Sequence, residues 1–296
     1  MKLVILAAPG TARRRPKPLV MLRYDLHCHS TCSDGLLSPA EVVRRAAQRG
    51  VDVLALTDHD ELSGLAEARA TAQATGIRLV DGAELSISWR DVTLHVLGLG
   101  IDPDCPLLVE GLAAIREGRS RRAERIGAAL ASAGIPGAYD GAMKYVTSER
   151  LVSRTHFARF LVDAGHVRDM KEVFKRFLVP GKPGHVPHAW ATLGDAIGWI
   201  HSAGGQAVLA HPGRYKVGSH DMRELLSEFR DIGGDGIEVL SSSHTPEQYT
   251  EFARLARVFG LRASSGSDYH GPGESWVDLG DMPALPAGLT PVWKDW

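Results

Sequence analysis

Short apolar runs of strand length alternate with helix-length amphipathic segments along most of this chain. The runs VDVLALTDH (51–59), IRLVDGAEL (77–85), VTLHVLGLG (92–100), GQAVLAHP (205–212), GIEVL (236–240) and RASSGSD (262–268) read as buried strands. Helical spacing falls near 62–75, 194–203, 221–231 and 246–259. An earlier helix opens at SPAE, with Ser38 as N-cap, Pro39 at the first helical position and Glu41 completing a capping box. Strands and helices in alternation predict an α/β fold with a mostly parallel sheet, open or closed into a barrel.

Residues 104–190 break this rhythm. LLVEGLAAIREGRSRRAERIGAALASAG is one long arginine-rich helical stretch, RTHFARFLVDAGH is another, and GKPGHVPHAW is irregular. We read 104–190 as a mainly helical insertion that covers the barrel mouth like a lid. Residues 23–103 and 191–296 then form the barrel, and 1–22 a loose N-terminal extension.

Composition narrows the picture. The chain has 296 residues, 44% hydrophobic and 23% charged, enough for a full core in one large domain with an elaboration. A net charge of −1 leaves no global basic field for long nucleic acid, although a local basic pocket stays open. Cys28, Cys32 and Cys105 are too few and too uneven for a disulfide framework, and they fit a reducing cytoplasm. In KLVILAAPG followed by TARRRPKP the charge comes after the apolar run, the reverse of a signal peptide, which favours a loose extension with an alternative start at Met21. No segment approaches the roughly 20 apolar residues of a membrane span.

The 13 histidines matter by position. In YDLHCHSTCSDG, His27 and His29 sit two apart on a strand and share one face, while Cys28 must point the other way. Core histidines, a two-cysteine site and a metal cluster all compete for this stretch taken alone. Asp34 follows in the loop, His59 and Glu84 end strands, and His95 lies within one. His211 ends another, and Asp268 and His270 follow the last. In a parallel barrel such strand ends converge on one mouth. One such histidine is ordinarily structural. Nine clustered His, Asp and Glu residues would be costly to bury without cations. Imidazole and carboxylate donors suit Zn, Mn or Fe, and so many exceed one tetrahedral site, implying two or three metals.

The stretches DLHCHS…SDG, TDHD, GAELS, HVLGLG, LAHPG and SGSDYHG, in that order from Tyr24 to His270, resemble the polymerase and histidinol phosphatase (PHP) family. The resemblance implies a distorted (β/α)7 barrel with a trinuclear centre. His27, His29, Glu84 and Asp268 would hold the first metal. Glu84 would bridge to the second, completed by His95 and His211, and Asp34, His59 and His270 would hold the third. Three divalent metals per chain are thus expected, Mn first, with Zn or Fe accepting the same ligands. The implied reaction is metal-assisted phosphoester hydrolysis, the cations activating water and neutralising phosphoryl charge. Asp58 is expected to orient a ligand without chemistry of its own.

SRTHFARFLVDAGH, FLVPGKPGHVP and IEVLSSSHTPEQ are similar to the bacterial branch of the family that acts on 3′,5′-nucleoside bisphosphates and, as a 5′→3′ exonuclease, on short RNA oligonucleotides. A bisphosphate needs cations beyond the metals, for which Arg154, Lys182 and Arg214 are candidates, with His244 near the leaving group or phosphate. The implied partner is a small nucleotide or short RNA, without a membrane or an obligate protein partner. Histidinol phosphate hydrolysis, a polymerase-associated 3′→5′ exonuclease module, a metal-stabilised scaffold without turnover and, more remotely, a metal-dependent amidohydrolase are the competing readings.

Overall fold

The computed structural model describes residues 22–146 and 151–296. The reading of 1–22 as a loose extension falls outside them, except for Leu22. The strands are β1 (Tyr24–Asp25), β2 (Val53–Leu56), β3 (Arg78–Trp89), β4 (Val92–Leu99), β5 (Ala191–Thr192), β6 (Gln206–Leu209), β7 (Gly236–Ser241) and β8 (Arg262–Gly266). The helices are α1 (Pro39–Gln48), α2 (Leu65–Thr75), α3 (Pro106–Ser132), α4 (Ala138–Met143), α5 (Arg154–Asp163), α6 (Met170–Val173), α7 (Leu193–Ser202), α8 (Ser219–Asp231) and α9 (Pro246–Phe259).

Seven strands follow one path, β1-β2-β3-β4-β6-β7-β8, with β5 paired to β3 at the side. The path returns on itself. Leu26 donates its N–H to the Ser265 carbonyl at 3.1 Å, Asp268 to the His27 carbonyl at 2.9 Å and His29 to the Tyr269 carbonyl at 2.8 Å. The result is a distorted (β/α)7 barrel, and its seam joins the first candidate ligands in sequence to the last.

Strand alternation explains what points inward. Leu54 and Leu56 pack with Val42, Val43 and Ala46 of α1 and Leu65 and Ala68 of α2, so Val53 and Ala55 face the barrel interior. There they meet Leu26, Leu97, Leu99 and Val208. On β3, Ala83, Leu85 and Ile87 pack against the outer helices, which turns Glu84 and Ser86 inward. The Ser38 capping box and Pro39 are in place at α1, and Thr245 with Gln248 caps α9 in the same way.

Two expectations are corrected, and one strand departs from an otherwise parallel sheet. β4 runs antiparallel to both β3 and β6, because only Arg90 and Asp91 separate it from β3 and so short a link makes a hairpin. Glu84 is therefore mid-strand rather than at a strand end. His27 and His29 lie beyond β1, on either side of an isolated bridge between Cys28 and Tyr269.

Within 104–190, α3 is a beam shared by two cores. Leu108, Leu112 and Ile115 pack on the barrel, whereas Ala123, Ile126 and Leu130 join Phe157, Leu161 and Leu178 in a second cluster. A π-helical turn, Phe174–Leu178, follows α6.

Candidate metal centre

The SDG loop after His29 is shaped by a close approach. Gly35 donates its N–H to the Ser30 carbonyl at 2.9 Å. A Cβ at residue 35 would lie 2.5 Å from the His29 carbonyl oxygen, so only glycine fits. Across the seam, a Cβ at Gly266 would lie 2.3 Å from the Cβ of His27. Asp58 braces the same loop. It accepts from Ser30 N at 2.7 Å, Ser30 Oγ at 2.7 Å and Ser33 Oγ at 2.6 Å. It thus orients the segment between His29 and Asp34 rather than facing the centre. Gly35→Ala should lower the melting temperature and displace Asp34, reducing bound metal by about one equivalent per chain in elemental analysis. Unchanged metal content would show that the loop tolerates the shift.

All nine candidate donors meet at the mouth. Glu84 is the hub: Oε1 lies 2.8 Å from His95 Nδ1 and 2.8 Å from His211 Nε2. Its Oε2 lies 3.0 Å from His59 Nδ1, 3.2 Å from His29 Nε2 and 3.3 Å from His27 Nε2. Asp268 Oδ1 is 3.3 Å from His29 Nε2 and 3.5 Å from His27 Nε2. Asp34 Oδ1 is 3.4 Å from His270 Nε2 and 3.9 Å from His59 Nε2. His95 reaches this set from the first half of β4, which antiparallel direction puts at the mouth. Within the cluster, donor sets of metal-binding spacing are His27–His29–Asp268, His27–Glu84–His211, His59–Glu84–His95 and His29–Asp34–His59–His270.

The donor atoms themselves argue for cations. Glu84 Oε2, Asp268 Oδ1, Asp34 Oδ1 and His59 Nδ1 are buried yet make no hydrogen bond, despite opposing atoms at 3.0–3.9 Å. Buried polar atoms are almost always paired. Lone pairs converging on common points, misaligned for hydrogen bonding with one another, are what ions between them would satisfy. Protonation states agree. Burial pushes His59 down to about 4 and His211 to about 3, the neutral form a metal takes. Burial opposes charge on His29 as well, but the Asp268 and Glu84 carboxylates beside it lift it to about 10. Burial tends to raise Glu84, yet the surrounding His59, His95 and His27 hold it well below the carboxylate range.

Strained and braced backbone sets these positions. His211 and Asp268 have positive φ, 26° and 52°. Glu238, which the sequence reading passed over, accepts from His211 N at 2.6 Å and holds His27 Nδ1 at 3.0 Å. Its signal was present: one acid inside the buried run GIEVL. His244 is buried rather than at the leaving group. Its Nε2 accepts from Gly213 N at 3.0 Å and its Nδ1 donates to the Val239 carbonyl at 3.2 Å, so both nitrogens steady the turn after His211.

A recess opens beside Asp34, His59, His95 and His270, and Arg119, Arg122, Arg154 and Arg214 line its walls. Arg214 is half-exposed and donates to Asp268 Oδ2 at 2.8 Å. Lys182 is exposed in a turn and does not line the recess, contrary to expectation. Arg122, from the inward face of α3, lines it instead.

Cys28 donates Sγ–H to the Ala55 carbonyl at 3.2 Å, away from both histidines. The double change Cys28→Ala/Cys32→Ala should keep full metal content and activity, at a stability cost of about 1 kcal/mol for the smaller core side chain. Loss of one metal equivalent would make a thiol a ligand.

The PHP domain profile matches residues 25–178. The chain is 52% identical over 275 residues to the 3′,5′-nucleoside bisphosphate phosphatase of Chromobacterium violaceum, covering 93% of this chain and 96% of that one. It is 44% identical over 275 residues to the 5′-3′ exoribonuclease Rnm of Escherichia coli, covering 92% and 93%. A crystal structure of a provisionally named metal-dependent phosphoesterase from Bifidobacterium adolescentis superposes with a TM-score of 0.79 at 29% identity, covering 92% and 94%.

Proposed function

The chain belongs to the PHP domain family, and on that premise we propose that it hydrolyses the 3′-phosphate of 3′,5′-nucleoside bisphosphates to leave 5′-mononucleotides. The same site would trim short RNA oligonucleotides in the 5′→3′ direction. The carrying observation is one mouth that joins nine converging metal-type donors to two guanidinium groups, those of Arg122 and Arg154, that have no carboxylate partner among the described residues.

The ligand sets follow the resemblance: His27, His29, Glu84 and Asp268 for one cation, Glu84, His95 and His211 for a second, and Asp34, His59 and His270 for a third, with Mn the first candidate. Divalent cations bound there supply water activation and charge neutralisation for phosphoester hydrolysis. The protein's own groups do the rest. Arg122 and Arg154 are half-buried and, among the described residues, make no ion pair. Arg122 Nε donates to the Val186 carbonyl at 3.0 Å and Arg154 reaches only the Leu178 carbonyl at 3.3 Å. Burial, and then the neighbouring arginines, push Arg122 down to about 9 and Arg154 to about 10, so both stay charged at neutral pH. Two unpaired guanidinium groups facing one recess call for an anion, and the non-reacting phosphate is the anion this substrate offers. Arg214 stands between them and Asp268 and orients that carboxylate.

In this reading the helical residues 104–190 act as a lid over a small nucleotide or short RNA, with no membrane and no obligate protein partner. Among the described residues no helix is long and apolar enough to cross a membrane. The sparse cysteines support a cytoplasmic location. A cationic recess disfavours histidinol phosphate, whose amine carries a positive charge. The test is phosphate release with Mn²⁺ from adenosine 3′,5′-bisphosphate, AMP, histidinol phosphate and a short 5′-phosphorylated RNA. The bisphosphate should give the highest kcat/KM, and a preference for histidinol phosphate would overturn the proposal.

A further inference from the structure

We infer that Asp60 is a positioning residue that sets the spacing between the metal-ligand cluster and the arginine row of α3, and so determines selectivity for substrates with two phosphates. The inference rests on the bisphosphate reading. Asp60 is the final residue of the TDHD stretch, and it takes no part in the donor sets of the centre.

Its backbone is left-handed, at φ 52°, which aspartate tolerates but does not prefer. It is fully buried. Every polar group it owns is used to join separate elements. Its N–H donates to the Glu84 carbonyl at 2.9 Å, and Oδ1 accepts from Ser86 N at 2.7 Å, both on β3. Its carbonyl accepts from Arg116 at 2.7 Å, and Oδ2 accepts from Arg119 Nε at 2.6 Å, both on α3. Arg119 also donates to Ser86 Oγ at 2.7 Å and lies over the Trp190 ring at 4.9 Å.

Asp60 is thus bonded covalently to His59, through hydrogen bonds to the strand carrying Glu84, and through an ion pair to the helix carrying Arg122. Arg119 and Arg122 are three apart on that helix, so fixing the first fixes the direction of the second. A substrate with two phosphates must match the distance from the metal-ligand cluster to Arg122 and Arg154. A substrate with one phosphate need not, so a loosened spacing penalises only the former.

The experiment measures inhibition of p-nitrophenyl phosphate hydrolysis by adenosine 3′,5′-bisphosphate and by inorganic phosphate, in the metal-loaded wild type and in Asp60→Asn, with metal content followed by elemental analysis. The asparagine amide can still face Ser86 N, but it cannot pair with the Arg119 guanidinium. The expected result is a rise of about 10- to 100-fold in Ki for the bisphosphate, with unchanged metal content, unchanged Ki for phosphate and unchanged kcat for p-nitrophenyl phosphate. Asp60→Glu, which keeps the charge, should restore part of the preference. Should the unpaired Arg119 destabilise Asp60→Asn beyond assay, Asp60→Asn/Arg119→Gln removes both buried charges and should show the same loss of selectivity. Equal losses for both anions, or loss of metal, would make Asp60 a support of the fold or of His59 and overturn the inference. If the wild type favours the bisphosphate and the variants keep that preference, the inference alone falls. If the wild type shows no such preference, the functional reading falls and takes the inference with it.

Discussion

Glu84→Gln should abolish turnover, by roughly a thousandfold or more, while the protein stays folded. Its two carboxylate oxygens lie within 3.3 Å of nitrogens from five histidines drawn from different parts of the chain. Glutamine has the same shape, so packing survives. It lacks the charge, and it replaces one acceptor by an NH₂ group aimed at ring nitrogens. Losing the several kcal/mol that a bound cation contributes to the transition state corresponds to about three powers of ten. Elemental analysis should show fewer metals per chain, and circular dichroism should be unchanged. Glu238→Gln is the control. Glu238 touches His27 Nδ1 and His211 N rather than the convergence point, and loss of such an orienting contact costs about 10- to 100-fold. Equal losses in the two variants would deny Glu84 its place as the hub.

Arg154→Ala should penalise adenosine 3′,5′-bisphosphate far more than p-nitrophenyl phosphate. Arg154 opens α5, lies over the Phe174 ring at 5.8 Å, and among the described residues has Arg214 and Arg119 rather than a carboxylate as charged neighbours. Holding it there is unfavourable until an anion binds, and the anion gains from the same desolvation. Removing one buried charge-assisted contact costs about 2–5 kcal/mol, or roughly 30- to several-thousand-fold in kcat/KM. The simple monoester makes no contact with a second cation, so it should lose only about two- to threefold, within the scatter of a remote substitution. Steady-state kinetics on both substrates checks this. Matching losses would tie Arg154 to the reacting phosphate or to the fold, and no loss on either would remove it from substrate binding.

What could be read from residues alone was local. The opposite facing of Cys28 and the two histidines needs only the two-residue period of extended backbone. The Ser38 capping box needs only the four residues that form it. Most of the nine donors were visible because they close or interrupt an apolar run, and the order of all nine resembles a known family.

Tertiary structure decided the rest. The run from Leu85 to Trp89 continues the alternation of β3, but the tight turn at Arg90, whose φ is 51°, reverses the chain. That reversal brings His95 to the mouth from the first half of its strand. The choice among cations depended on which face of α3 meets the barrel, so Arg122 lines the recess and Lys182 faces solvent. Asp60 and Arg119 stand 59 residues apart. Hydrophobic periodicity marks which face of an element is buried, but it says nothing about which buried charge meets which. Such pairs form only where separate elements are packed closely enough to exclude water, and that proximity exists only in the folded chain.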